Sequence, residues 1–277
     1  MLSRCVNYNS ANAWFLVFQS DIMRDLVQSR LVVGLADSLA EFIDSSRVLC
    51  LLLKVSDVMR ERGELSGVIF DMDGVLIDSE PLHFASTIKY LNDELGLSYD
   101  EEENREFLGR SDEYMFRVLR QRYEPPFSVH EMIARRRDIY LDLLVGNVKL
   151  TPGVAALIRR LKSVGYKMAV ASSSLEKIIE TVVTEGGIKE YFDVLQSGEH
   201  LTNCKPHPEI FLLTAGKMRI KPELCAVIED TTVGIQAARA AGMLAIAYDA
   251  PDTPKQDFSE ADVVFRSFAD VELREVL

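Results

Sequence analysis

The sequence predicts an α/β fold, a doubly wound and mainly parallel sheet with a helical cap inserted after its first strand. Three observations carry this. An apolar run at Val68-Ile69-Phe70 stops at Asp71-Met72-Asp73-Gly74, as a buried parallel strand does where its carboxyl end opens onto a loop. From Thr151 onward, short apolar runs alternate with stretches of helical spacing, the rhythm of repeated βα units. Between these regions, residues 80–150 read as helices throughout.

The elements follow in chain order. Ile22, Leu26, Leu31, Leu35, Leu39 and Phe42 fall at helical spacing among charges, so residues 1–64 are expected to form a helical N-terminal extension of one or two amphipathic helices. Its role is a packing or partner contact, including contact with a second copy, unless Met59 is the true start. Residues 65–79 and 151–277 form the α/β core and residues 80–150 the cap. Cap helices are expected from Pro81 to Leu95, after a capping box at Ser98-Tyr99-Asp100-Glu101, from Asp112 to Arg122 and from Val129 to Leu144. Thr151 is the expected N-cap of the next helix, with Pro152 in its first turn and its end near Val164. Strands are then expected at Lys167 to Ala171, Val194 to Gln196, Leu224 to Ile228 and Leu244 to Ala247, with a last edge strand at Val263 to Phe265. The helices between them run from Leu175 to Glu185, Pro208 to Met218 and Val233 to Ala241. This is a Rossmann-like core, whose ligands bind beyond the carboxyl ends of the strands.

Composition narrows the function. Of 277 residues, 48% are hydrophobic and 27% charged, ordinary values for a globular protein of one large or two smaller domains. The net charge of -12 argues against nucleic acid and acidic membrane surfaces, which need clustered cations. Cys5, Cys50, Cys204 and Cys225 have no metal or redox spacing, the two apolar patches near the amino end are too short to span a bilayer, and no signal peptide is evident. A cytoplasmic location is the expectation.

Paired acids before a glycine have rival readings. A calcium loop needs oxygen ligands at its first, third and fifth positions and glycine at the sixth; here glycine is fourth and Val75 fifth. A plain turn would use Asp and Gly for local reasons. Three further strand ends decide against it. Ser172-Ser173-Ser174 follows one strand, Lys205-Pro206-His207-Pro208 follows another, and Glu229-Asp230 ends a third. A parallel sheet brings all four ends to one rim, giving acids, hydroxyls and a lysine suited to a metal and a phosphate.

In these residues, in this order, the chain resembles the haloacid dehalogenase-like superfamily of phosphotransferases from residue 66 to about 250. Asp71-Met72-Asp73-Gly74 resembles its first motif, Ser172 its second, Lys205 with Pro206 and Pro208 its third, and Glu229-Asp230 its fourth. The stretch Asp78-Ser79-Glu80-Pro81-Leu82-His83 is similar to members of the β-phosphoglucomutase and small sugar-phosphate phosphatase group. The resemblance implies that Asp71 attacks phosphorus and that Asp73 protonates the leaving oxygen, then deprotonates water, with a carboxyl pKa tuned towards the working pH. It implies magnesium as cofactor, held by Asp71, Asp230 and the backbone carbonyl of Asp73, with Glu229 reaching it through water or orienting its neighbours. The backbone at Met72 and Asp73, with Ser172 and Ser173, would bind phosphoryl oxygens, and Lys205 would compensate charge. His83 and Arg110 are the cap residues expected to face substrate.

Asp73 disfavours the dehalogenase and phosphonate-cleaving reactions. Mutases of the group carry a lysine before the cap-loop glycine and an arginine three residues after it. Here Leu108-Gly109-Arg110-Ser111-Asp112 fills neither position with a base. The expected activity is therefore a magnesium-dependent phosphatase acting on a small phosphorylated metabolite, a sugar or polyol phosphate. A phosphosugar mutase is the alternative, and a regulatory or scaffold role for the N-terminal helices is a third reading.

Overall fold

The computed structural model describes residues 64–107, 111–251, 253 and 255–269, all within one compact unit spanning Val55–Leu277. The expected helical extension lies, up to residue 63, outside the described residues, as does Arg110.

Six strands form one sheet: β1 (Gly67–Phe70), β2 (Lys167–Ser172), β3 (Val194–Ser197), β4 (Cys225–Glu229), β5 (Leu244–Tyr248) and β6 (Val263–Phe265). Their order is β3-β2-β1-β4-β5-β6, and every neighbouring pair is parallel. Both faces of β1 are covered, which is why Val68, Ile69 and Phe70 are all apolar and fully buried. Alternation sends Val68 and Phe70 into one apolar layer and Ile69 into the other.

In the chain between β1 and β2 run α1 (Glu80–Ile88), α2 (Glu101–Asn104), α3 (Asp112–Tyr123), α4 (Val129–Leu144) and α5 (Val154–Ser163). Further along come α6 (Glu176–Glu185), α7 (Glu209–Met218) and α8 (Thr232–Ala240). α5 and α6 supply Leu157, Ile158, Ile179 and Val182 to the layer of Val68, whereas α7 and α8 supply Phe211, Ala215, Ile235 and Ala238 to that of Ile69. The sheet is thus doubly wound.

The segment from α1 to α4 has an apolar cluster of its own, including Tyr90, Leu91, Phe116, Leu119, Met132 and Ile139. The two segments joining them to the sheet lie side by side. Ile77 bridges antiparallel to Leu150, and Thr151 N–H donates to the Leu76 carbonyl at 2.8 Å.

Local details depart from the sequence expectations. The single helix expected up to Leu95 instead widens after Ile88 into a π-helical turn, Lys89–Glu94, in which Leu95 N–H reaches back five residues to the Tyr90 carbonyl. The cap expected at Ser98 falls at Asp100, whose carboxylate accepts the Glu103 N–H. Tyr99, just before it, is buried and bonds Asn104 through its hydroxyl, so the chain can turn helical only after that anchor. Helix α5 is capped by Gly153 at φ 87° rather than by Thr151, whose carbonyl takes the Val154 N–H. A Cβ there would press to 3.0 Å on the Phe268 Cβ, so both conformation and contact favour glycine. A full capping box does occur at Ser128 and Glu131, ahead of α4.

Phe116 is fully buried at the middle of the α1–α4 cluster. Phe116→Ala should destabilise the protein by about 3–5 kcal/mol in urea denaturation; a loss below about 1 kcal/mol would mean that the site collapses freely instead of keeping a cavity.

Candidate active site

The site is built where strand order reverses around β1. Phe70 is in register with Val170 of β2 and Ile228 of β4, so Asp71 leaves the sheet between those strand ends, with its N–H still bonded to the Ile228 carbonyl at 2.9 Å. Glu229 ends β4 one step further on, and Asp230 follows. Register alone therefore places Asp71 and Glu229 side by side at the crevice where open α/β sheets hold ligands.

Lys205 separates them. Its Nζ donates to Asp71 Oδ1 at 2.6 Å and to Glu229 Oε1 at 2.6 Å, and lies 5.0 Å from the centre of the Phe211 ring. All three charged side chains are buried. Although burial opposes the charged form, the two carboxylates hold the Lys205 pKa above its ordinary value. The other Glu229 oxygen accepts from Asp230 N–H, Thr231 N–H and the Thr231 hydroxyl at 2.8–2.9 Å. Glu229 thus turns toward Lys205 and the β4–α8 turn.

Lys205 cannot balance every acid. Burial, helped by Glu229 and Asp73 and opposed by Lys205, pushes Asp71 up to about 7. Burial, with Glu229 and Asp71, pushes Asp230 up to about 9. Asp230 Oδ1 is buried and has no hydrogen-bond partner among the described residues. Two strained carboxylates and an orphaned oxygen are what a cation would relieve. Among the described residues no three His, Cys, Asp or Glu side chains enclose a metal by themselves. The set fits an ion that keeps water and substrate oxygens, as magnesium does.

Two glycines leave room for this crowding. A Cβ on Gly74, which sits at φ 79°, would fall 2.0 Å from Asp230 Oδ2. One on Gly234, at the start of α8, would fall 1.9 Å from the Glu229 carboxyl carbon.

Asp73 has different surroundings. Its Oδ2 accepts from the Ser174 hydroxyl at 2.8 Å and, more weakly, from the Ser172 hydroxyl at 3.4 Å. Its Oδ1 lies 3.9 Å from His83 Nε2. Burial would raise its pKa, but interactions with His83, Ser79 and Ser174 outweigh it and lower the value. The sequence expectation was a pKa tuned towards working pH; here the carboxylate is ringed by donors, which favour the anion.

The remaining expected residues are placed as follows. Ser172 is fully buried at the end of β2 and takes the Ser174 N–H on its hydroxyl at 3.0 Å. Ser173 is exposed on the same rim. Met72 is fully buried, and its carbonyl gathers the N–H groups of Val75, Leu76 and Ile77, forming the tight turn after β1. His83, on α1, is brought to Asp73. Sequence reasoning missed Ser174, whose cluster with Ser172 was visible, and Arg136, whose Nη1 contacts His83 Nδ1 at 2.7 Å. Arg136 stands 53 residues from His83 in the chain, and no local pattern joins them.

A family model described as haloacid dehalogenase-like hydrolase matches residues 68–248. The chain belongs to the haloacid dehalogenase-like hydrolase family. It is similar to a phosphorylated carbohydrates phosphatase of Thermotoga maritima, 32% identical over 183 residues, covering 65% of this chain and 82% of that protein. It is also similar to hexitol phosphatase B of Escherichia coli K12, 31% identical over 218 residues, covering 77% and 97%. The crystal structure of CbbY from Rhodobacter sphaeroides in complex with phosphate superposes with a TM-score of 0.66 at 28% identity, covering 75% of this chain and 96% of that one.

Gly234→Ala should push the Glu229 carboxylate off Lys205. A displacement of about 1 Å in such a site costs on the order of 10²-fold in kcat/KM. Circular dichroism should remain native, and an alanine variant with full activity would show that the Glu229–Lys205 contact does not matter.

Proposed function

We propose that the chain is a magnesium-dependent phosphatase that hydrolyses a small phosphorylated metabolite, a sugar or polyol phosphate, through an aspartyl-phosphate. The observation that carries this is the contrast between two acids one residue apart. Asp71 is held by an ammonium among surplus carboxylates, and Asp73 is held by two serine hydroxyls and faces His83. A nucleophile and an acid/base need such different surroundings. The phosphatase activities named for the relatives support the substrate class.

In this reading Lys205 fixes Asp71 through Oδ1, and the other carboxylate oxygen attacks phosphorus. As the bond to the leaving oxygen breaks, that oxygen takes a proton from Asp73. Asp73 then takes a proton from water as the water attacks the acyl phosphate, releasing inorganic phosphate and restoring the Asp71 carboxylate. A phosphate dianion beside Asp73 raises its pKa by like-charge repulsion, converting the anion favoured in the free site into the acid that the first step needs. Ser172 and the backbone at Met72 and Asp73 bind the phosphoryl oxygens. Glu229 orients Lys205. Asp71, Asp230 and the Asp73 carbonyl would hold magnesium, which when bound offsets the negative charge of the acids and the phosphoryl group.

A phosphatase is favoured over a mutase by Asp112. It occupies the cap-loop position where a mutase would place an arginine, and it is ion-paired with Arg136. The free thiols of Cys204 and Cys225 support a reducing, cytoplasmic location.

Asp71→Asn should abolish phosphate release with the fold intact. A phosphate-release screen over sugar and polyol phosphates should give activity with magnesium and none with a chelator; conversion of hexose 1- to 6-phosphates faster than phosphate release would favour the mutase. Stability should report the same acids. Asp71 and Asp230 hold protons in the folded state that the unfolded chain loses from its ordinary value of 3.8. They therefore lower stability progressively as pH rises from there towards about 9. Magnesium binds the ionised forms, so its gain in Tm should be larger at pH 8 than at pH 6, and a pH-independent gain would argue against these ligands.

A further inference from the structure

We infer that Asp112 is a positioning residue for the reaction, acting through the Arg136 guanidinium to fix which nitrogen of His83 carries hydrogen and to aim it at Asp73; this rests on the phosphoryl-transfer reading above. Arg136 is a buried cation on α4, only 3% exposed. Its Nη2 donates to Asp112 Oδ2, at the first residue of α3, and its Nη1 contacts His83 Nδ1 on α1 at 2.7 Å. Its Nε has no partner among the described residues, so the guanidinium is held at its two outer nitrogens alone. Arg137 Nε stands 3.6 Å from the same Asp112 oxygen. One acid thus anchors two arginines where three helices meet.

The direction of the His83 contact follows from chemistry. A guanidinium has donors only and keeps its proton at any working pH. A 2.7 Å contact with Nδ1 is a hydrogen bond only if Nδ1 offers its lone pair. Neutral His83 must then carry its hydrogen on Nε2, the nitrogen that faces Asp73 Oδ1 at 3.9 Å. The ring cannot easily turn, because it stacks on Tyr140 with centroids 4.3 Å apart and planes 13° from parallel.

The 3.9 Å gap is too long for a direct hydrogen bond. An oxygen seated against both groups would accept from His83 Nε2–H while exchanging its proton with Asp73. In the proposed reaction that is the leaving-group oxygen. Without Asp112, Arg136 would be an uncompensated buried cation, free to turn away from Nδ1 and release the ring to its other tautomer. Asp112 therefore orients the donor while lying three contacts away from the reacting atoms.

The test reads His83 directly, by 15N NMR of the full chain with the resonances assigned through His83→Asn. The wild-type protein should show a hydrogen-free Nδ1 and a hydrogen-bearing Nε2. Asp112→Asn should average the two nitrogens and lower kcat on the order of tenfold, as loss of an orienting partner does. KM should change less than about threefold, because ground-state binding is not what is lost, and Asp112→Glu should keep the wild-type pattern. A wild-type His83 with hydrogen on Nδ1 overturns the assignment, as does an Asp112→Asn spectrum identical to wild type. Failure of the phosphatase reading would look different: the nitrogen pattern would hold while no phosphomonoester is turned over.

Discussion

Lys205 Nζ lies 2.6 Å from a carboxylate oxygen on each of two adjacent strand ends, and the geometry of the site depends on this ammonium. Parallel register brings Asp71 and Glu229 together with their charges buried, an arrangement that would force one of them to take up a proton if nothing lay between. Lys205 comes from a loop rather than from the sheet, so the loop itself must be held. The Glu209 carboxylate does this by accepting the N–H groups of Thr202 and Asn203 and the Asn203 side-chain amide. Phe211, two residues further along α7, closes the apolar side of the ammonium. Gly234 and Gly74 complete the constraint by having no Cβ to displace the carboxylates.

The same charge count reconciles a protein of net charge -12 with an anionic substrate. Attraction at this site is local. One ammonium serves three carboxylates, Asp71, Glu229 and Asp230, and the shortfall is visible in the raised values of Asp71 and Asp230. A cation relieves that shortfall and at the same time turns an anion-repelling cluster into one that accepts phosphate.

What the sequence made legible was set by chain distance. The strands and their order of motifs could be read because each apolar run ends in its own polar signature, and a parallel sheet gathers those ends without further information. That Asp71, Lys205 and Asp230 come together was readable for that reason. Whether Glu229 reaches a metal through water or orients its neighbours was not, since the direction of its carboxylate depends on where a lysine 24 residues away places its nitrogen. Arg136 was hidden among three consecutive arginines on an amphipathic helix, where solvated charge is the ordinary reading. Only tertiary packing distinguishes it from Arg135, which is half-exposed and paired with Glu94. The π-helical turn at Lys89–Glu94 was equally unreadable, because helical spacing of apolar residues does not register one extra residue in a turn.

These long-range contacts give the two acids separate masters. Asp71 makes its contacts within the core, through β4 and the Lys205 loop. Asp73 sits between bodies: Ser172 and Ser174 hold one oxygen from the β2 end, while His83 faces the other from α1. The state of Asp73 therefore depends directly on where the α1–α4 helices sit, whereas Asp71 feels them only through the charge of Asp73. Helices that surround a substrate and also supply a donor beside Asp73 can make proton transfer conditional on a filled site.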